Sequence, residues 1–577
     1  MFTKIGCLCY NYLSNKELNK GNPMNNIIPF NRNGQLYLPL DLPITFDFSP
    51  ECYALLQLFD DLDYSKFENK LSNIGRPNAL SAKTMMEIIL YARLTNHYSC
   101  RSMRFLQNDV CALWLLDGKS LPDHSTFSRF IDRHKEDINN LYYQMVLKLY
   151  DLGEISGETI FQDGTKVESV ANKYTFVWRK AITKNMIKCF AHLEKIHKEF
   201  ISMYPYTACP EIITEDNAFE VMILIRRILR DIFNGIDGAK HGKGIRTTKE
   251  EKIFRKIELY LEKWINYIDS SDIFKEENNP TNRNSYSKTD RDATFMRVKE
   301  DHMRNAQLKP AYNIQNLVDS NYIVSTYCSA DRNDFHTCVP ALEKLKKNIP
   351  LDYKNYCADA GYDCKENYEY LENNDIEYFI KPARYEQDKK RKNKNDPSRR
   401  SNMEYHENID AYECTQGRYL SRRVDLEEKR NETIINRGNV PKPEQRIYQS
   451  FTGCKTCPVR EECMKSAATR YDFKTLRVDT QLDIYRENAK NNIESDKGKL
   501  LRLNRSIQAE GSFALLKDGL TLRRFRVMGY KSVETEWMLF CMSANIVRFR
   551  NRLAQGKIGT PFEYQCDLEA EEIPRAI

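Results

Sequence analysis

The hydrophobic period of this chain changes several times, and the order of those changes restricts its architecture more than any other feature. Alternating or short apolar runs mark strands at 158–170, 311–318, 322–328, 355–358 and 377–380. Three- and four-residue spacing marks helices between and around them, as at 218–233, 249–268 and 480–549. Strands this short cannot stand alone in water. They must therefore share one sheet, and the long segments between them must loop out of it.

The expected fold class is α/β, with a mixed sheet core interrupted twice. Its parts read as an extended arm (1–45), a helical N-terminal domain for DNA binding or dimerisation (46–152) and the first part of the core (153–175). A helical insertion (176–300), the remaining core strands (301–384), a loop-rich insertion with cysteines (385–480), C-terminal core helices (481–555) and a tail (556–577) follow. Met24 could equally be a start, so residues 1–23 are expected to be dispensable. In the N-terminal domain Ser81 is placed to cap a helix whose apolar face is Met85, Ile88, Ile89, Tyr91 and Ala92. Pro122-Asp123-His124 reads as a turn and a second helix start. Arg76, Lys83, Arg101, Arg104 and Arg129 supply the basic surface of that module. Asp319-Ser320-Asn321 reads as a hairpin turn between two strands.

Composition excludes several classes. A chain of 577 residues with 41% hydrophobic and 29% charged residues is neither one ordinary core nor wholly disordered. No run nears the ~18 apolar residues of a membrane-spanning helix, and Met1 to Cys9 lacks the apolar stretch of a secretory signal. A cytoplasmic location with no membrane partner is expected. The net charge, +7, is modest, so its distribution matters more. Basic residues crowd 384–400 (Lys389, Lys390, Arg391, Lys392, Lys394, Arg399), where they suit a solvated loop. They crowd again at 497–526, interleaved with apolar positions as on a folded element.

Three carboxylates lie at element ends. Asp163 sits where the first strand is expected to end, Asp359 ends another, and each has a glycine one or two residues on, which would let the backbone turn tightly. Glu510 lies in a helical stretch. Singly each is ordinary. Gathered in one pocket they would repel, by roughly 4 kcal/mol per pair at about 4 Å and an effective dielectric of about 20. Such a cluster must take up protons or hold hard divalent cations, magnesium or manganese, and two such ions serve phosphodiester chemistry. Lys517 lies seven residues after Glu510, about 20° short of two α-helical turns, so the two share a face. Arg523 and Arg524 flank Phe525, and arginine grips phosphate in bidentate fashion.

At these residues the sequence resembles the bacterial insertion-sequence transposases of the DDE class, whose catalytic core is ribonuclease-H-like. The segments that carry the resemblance are Gly75-Arg76-Pro77, Pro122-Asp123-His124, 163–168 with Ala171-Asn172 and 174–178, 358–362, 505–517 and Arg523-Arg524-Phe525. The resemblance implies that Asp163, Asp359 and Glu510 are the catalytic, metal-binding triad for two magnesium or manganese ions. It implies that Lys517 contacts transposon-end DNA; Arg523 and Arg524, by their phosphate chemistry, and Arg505 are the other candidate DNA contacts. It further implies cleavage at each element end that exposes a 3′-hydroxyl, and in-line attack of that hydroxyl on target DNA. Partners would be double-stranded DNA, as element ends and as target, and further copies of the chain in a homodimer or larger assembly. One departure stands. In the broader family an arginine precedes the glutamate by four residues and a tyrosine by seven, whereas here those positions are Ser506 and Leu503. Arg505 is five before, which on an α-helix turns it about 100° from the expected direction.

The 17 cysteines lack the spacing of a disulfide scaffold. One group differs. Cys454, Cys457 and Cys463 form C-x2-C-x5-C, and Cys414 offers a fourth thiolate, a set that suits structural zinc in a polar region needing a staple. Reduced loop cysteines and an iron–sulfur ligand set are the alternatives. For the whole chain, the alternatives to a transposase are a metal-dependent nuclease without strand transfer and a domesticated DNA-binding protein without catalysis.

Overall fold

The computed structural model describes residues 49–68, 80–117, 119–232, 248–275, 283–299, 306–435, 445–451 and 453–562. The N-terminal arm, Gly75-Arg76-Pro77 and the end of the tail lie outside the described residues.

A six-stranded sheet forms the centre. β1 (Thr159–Glu168) runs antiparallel to β5 (Leu308–Asp319) on one side and parallel to β7 (Asn355–Ala358) on the other; β7 is parallel to β8 (Glu377–Ile380). The far edge of β5 carries both β4 (Thr294–Arg297) and β6 (Tyr322–Ser329). β5 is buried along nearly its whole length, as a central strand covered on both faces must be. β5 turns into β6 through Ser320 and Asn321, both at positive φ (50° and 73°), the two-residue turn whose twist matches that of the strands. The long helix Tyr530–Ala554 covers this sheet, and Asn545 Oδ1 accepts from the Ile323 N–H at 2.9 Å.

The N-terminal helices share that core. Residues from Cys52 on the first described helix to Phe549 on the last form one buried apolar cluster. Ser81 caps the helix Ala82–Leu94 by accepting from Thr84 N–H at 3.1 Å, and Asp123 caps His124–Arg133. Tyr142 Oη, on Lys135–Asp151, donates to the Ile323 carbonyl at 2.6 Å and so ties the helical layer to β6. Lys83 pairs with Asp60, and Arg129 donates to Ser125 O at 3.1 Å.

Glu87 is an exception to the apolar packing of this layer. It is 5% exposed, and among the described residues its Oε1 has no hydrogen-bond partner. Burial pushes its carboxyl up from 4.5 to about 7, with Lys83 opposing and Asp60 adding. The folded value lies above the unfolded one, so folding favours the protonated form. Stability therefore falls as pH rises from about 4.5 to about 7 and stays down above that. Glu87→Gln is expected to stabilise the fold at pH 8 by on the order of 2 kcal/mol and by much less at pH 5. Denaturant midpoints at the two pH values measure this, and an equal gain at both would exclude buried charge as the cause.

The segment from 179 to 272 has its own core. Helices Arg179–Met203, Ala218–Ile232 and Lys249–Asp272 enclose Leu193, Phe200, Met222, Ile225, Ile257 and Trp264. A capping box between Thr248 and Glu251 starts the third helix. At the base, β2 (Phe176–Trp178) pairs with β3 (Ser285–Ser287) and brings both ends of the excursion together.

Two expectations need correction. The region read as loop-rich contains a five-stranded antiparallel sheet, in the order β13 (Thr475–Asp479), β12 (Gln445–Ser450), β11 (Tyr419–Arg422), β10 (Ala411–Glu413) and β9 (Glu404–His406). Three of these strands have only three or four residues and expose charged side chains, so no apolar alternation announces them. Asp163 does not end its strand but lies in the middle of β1, so Gly164 is a strand residue and not a turn.

Candidate active site

The parallel register of β1 and β7 sets the site. Ile160 lies beside Tyr356 and Phe161 beside Cys357, and two residues further along each strand are Asp163 and Asp359. Neighbouring strands are about 4.8 Å apart, so the register alone makes the two acids neighbours. Asp359 lies just past the end of β7, where its Oδ1 accepts from Gly361 N–H at 2.7 Å; Asp163 Oδ1 accepts from Gly164 N–H at 2.9 Å.

Glu510 reaches the same place from a helix with unusual winding. After Asp496–Arg505 the chain continues as a π-helical segment, Ser506–Glu510, then Gly511–Ala514 in α geometry, then a second π segment, Leu515–Gly519. Gln508 fixes the first π segment by accepting from Asn321 N–H at 2.9 Å, at the β5–β6 turn. Asn316 on β5, opposite Asp163, holds Trp537 Nε1 at 2.9 Å and Ser512 Oγ at 3.4 Å.

The π winding corrects the expected direction of Arg505. A π segment bonds residues five apart, so positions five apart meet on one side. Arg505 Nη2 accordingly lies 3.2 Å from Glu510 Oε1. Burial opposes its charge, but Asp163, Cys357, Asp359 and Glu510 together hold the guanidinium above its ordinary value. The residue that α geometry turned away therefore stands among the three carboxylates.

Burial pushes the Asp163 carboxyl up to about 6; Arg505 and Gly164 N–H oppose the rise, while Asp359 and Glu510 add to it. Asp163 thus feels both other acids as well as Arg505, and a set of carboxylate oxygens suits hard divalent cations. They are not drawn tight. Among the described residues, the group with three ligand atoms within 4.8 Å of one another is Glu404, His406 and Glu413, on the outer sheet. Arg505 holds Glu510 instead, and Glu510 is 57% exposed.

The other expected DNA contacts divide. Lys517 Nζ lies 5.9 Å from the Phe513 ring, and Arg523 pairs at the surface with Asp518 at 2.6 Å. Arg524, half-exposed, also braces the fold. It donates to the carbonyls of Ser169, Val170 and Ala171 at 3.0, 2.5 and 3.3 Å, clamping the chain that leaves β1. On the opposite face of β1, beside Gly164, Asn313 and Gln315 hold Asp334, which lies between β6 and the helix Cys338–Asn348.

The four cysteines lie in one region, without three sulfurs drawn within 4.8 Å of one another, and Cys463 Sγ donates to Pro397 O at 3.3 Å. Burial raises the Cys463 thiol, and Cys414, Cys454 and Cys457 add to the rise. Cys414 lies in the turn between β10 and β11, where its N–H donates to Arg418 O at 2.8 Å. Arg460 stitches the irregular segment by donating to the carbonyls of Cys454, Ala468, Tyr471 and Asp472.

Comparison with known families bears on both ends of the chain. Residues 425–550 match the family model "Transposase DDE domain", and residues 47–133 match "Transposase domain (DUF772)". Both matches support an insertion-sequence DDE transposase. Its function is DNA transposition, and the family implies use of divalent metal and binding to DNA. The first match spans Glu510 and Lys517 of the transposase but neither Asp163 nor Asp359. No curated protein and no solved structure matches it. Among the described residues, no helix of this transposase is long and apolar enough to cross a membrane.

Proposed function

We propose that the chain cuts insertion-sequence ends and joins them to target DNA at a centre made by Asp163, Asp359 and Glu510. The observation that carries this reading is the β1–β7 register, which makes Asp163 and Asp359 neighbours beneath the helix bearing Glu510. The sheet order supports a ribonuclease-H-like core. Three antiparallel strands (β6, β5, β1) continue into two parallel ones (β7, β8), and the acids lie on the central pair.

In this reading Asp163, Asp359 and Glu510 hold two magnesium or manganese ions, which supply charge stabilisation to the attacking and leaving oxygens of an in-line displacement. Arg505 balances the acids and, with Lys517 and Arg523, grips the phosphates on either side of the reacting one. Arg524 supports that surface from behind. The N-terminal helices bind DNA or pair two copies, because joining two ends needs at least a dimer. The cysteine set holds a structural zinc ion, and the enzyme works in the cytoplasm.

The test is an assay of the purified chain with magnesium, a plasmid carrying the element ends and a second plasmid as target. The expected products are 3′-hydroxyl ends and target joints, with binding that weakens steeply as salt rises. Cut ends that never join would identify a nuclease. Binding without magnesium-dependent cutting would identify a non-catalytic DNA-binding protein.

A further inference from the structure

The helix Arg179–Met203 has two faces of opposite character. At 100° per residue, Cys189, Leu193, Ile196 and Phe200 fall within about 60° of one another, and they fill the core of the helical excursion. Lys180, Lys184, Lys188, Lys195 and Lys198 fall within about 80° on the far side, and all five are exposed. The two acids of the helix, Glu194 and Glu199, lie outside that arc, and Glu199 pairs with Lys256 at 2.9 Å. Among the described residues none of the five lysines has a carboxylate partner. From Lys180 to Lys198 the stripe runs about 27 Å along the helix axis.

A helix face that meets only water is ordinarily written in mixed sign, with an acid three or four residues from each cation. The neighbouring helix Lys249–Asp272 is of that kind: Glu250 and Glu251 open it, and its Lys256 and Glu258 both pair with other helices. The lysine stripe is not. Lys180, Lys184 and Lys188 repeat at four-residue spacing, where like charges repel, and the first turn holds no acid, so the helix dipole adds to the cost. An anionic partner offsets both. The foot of the stripe is fixed: Arg179 N–H donates to Asn284 O at 3.0 Å and Lys288 N–H to Thr175 O at 2.8 Å. A series of contacts also links it to Lys517. Arg524 clamps the carbonyls of Ser169, Val170 and Ala171, from which a turn and β2 lead into the helix; its neighbour Arg523 pairs with Asp518, which follows Lys517.

We propose that this lysine stripe is a track for the duplex of the element end, gripping its phosphate backbone on the element side of the cut. The inference rests on the reading of the chain as a transposase whose Lys517 contacts the element end. At 3.4 Å per base pair the stripe follows about eight base pairs. Lysine meets phosphate as a point charge, so the contact fixes where the end lies and carries no sequence information of its own.

The test compares the full-length wild type with a variant combining Lys184→Gln, Lys188→Gln and Lys195→Gln, and with one carrying arginine at the same three positions. Binding to a duplex that holds one element end and its flank is measured without magnesium over a range of salt. The glutamine variant is expected to bind about tenfold or more weaker at low salt, and to flatten the slope of log affinity against log salt by about two to three. Its hydroxyl-radical footprint should lose protection over about eight base pairs on the element side of the cut. The arginine variant should keep both, and the melting temperature should hold in each because the three side chains are exposed. A glutamine variant with the slope and footprint of wild type would overturn the inference and leave the transposase reading standing. Protection lost on the flanking side instead would overturn the assignment to the element end. Wild type that binds a random duplex of equal length as tightly as the element end would sink both readings. Should the triple variant not fold, Lys184→Gln and Lys188→Gln made singly should each flatten the slope by about one, and an unchanged slope in both would overturn the proposal.

Discussion

Asp163→Asn, Asp359→Asn and Glu510→Gln should each cut strand cleavage at least about a thousandfold while leaving binding to element ends nearly unchanged. The side-chain contacts explain why the effect should be chemical and not a failure of folding. Asp163 Oδ1 and Asp359 Oδ1 each accept one main-chain N–H, from Gly164 and Gly361, and an asparagine oxygen can do the same. Glutamine at 510 can still accept from Arg505. What each change removes is a negative charge from a centre where the acids already oppose one another. Without metal the variants should therefore melt no lower than wild type, and Asp163→Asn, which removes the buried charge, should melt higher at pH 8. A gain in stability with a loss of activity is the pattern of a group kept for function at the expense of the fold. Gel-shift, cleavage and melting measurements on the same preparations check all three statements. A variant that still cleaves at near-wild-type rate would remove its residue from the centre.

How far the sequence could be read depends on what kind of signal each part leaves. β5 and β6 were visible because buried strands are rich in apolar residues, and Asp319-Ser320-Asn321 closes them as expected. The caps at Ser81 and Asp123 were visible because a capping side chain is local chemistry. The three acids were legible mainly through the motifs around them. Their convergence depends on strand register across nearly 200 residues, which no local pattern encodes. Arg505 was misdirected because an angle of 100° per residue assumes α winding, and nothing in 505–510 signals a π segment. Gly164 and Gly361 were read as tight-turn residues because glycine is most often needed for φ; here it is needed for volume, which only the neighbouring Gln315, Asp334 and Asp359 reveal. The outer sheet was hidden because its strands are short and polar, held by edge pairing and a small cluster around Leu420, Tyr448 and Val478.

That small cluster is why the cysteines matter. Met403, Leu420, Tyr448, Leu476 and Val478 form the buried core of the outer sheet, with Tyr412 and Cys414 packed against it. So few apolar residues cannot offset the chain entropy of ordering this segment. Polar contacts help. Arg460 satisfies four carbonyls, and Lys474 Nζ donates to Cys463 O and Ser398 O at 3.0 Å each. These contacts fix the loop around the sulfurs and do not draw the sulfurs together. Four thiols in one region would instead be drawn together by a tetrahedral ion, whose binding free energy becomes folding free energy for the segment. Cys457→Ser is therefore expected to take bound zinc from about one per chain to near none, and to expose 404–479 to proteolysis while the sheet bearing Asp163 and Asp359 stays protected. Adding a strong chelator to wild type should reproduce the cleavage pattern, and restoring zinc should reverse it in wild type but not in the variant. Wild type purified with no zinc and no iron, yet protected over 404–479, would leave the cysteines as reduced loop residues and assign the stability of the outer sheet to Arg460 and Lys474 alone.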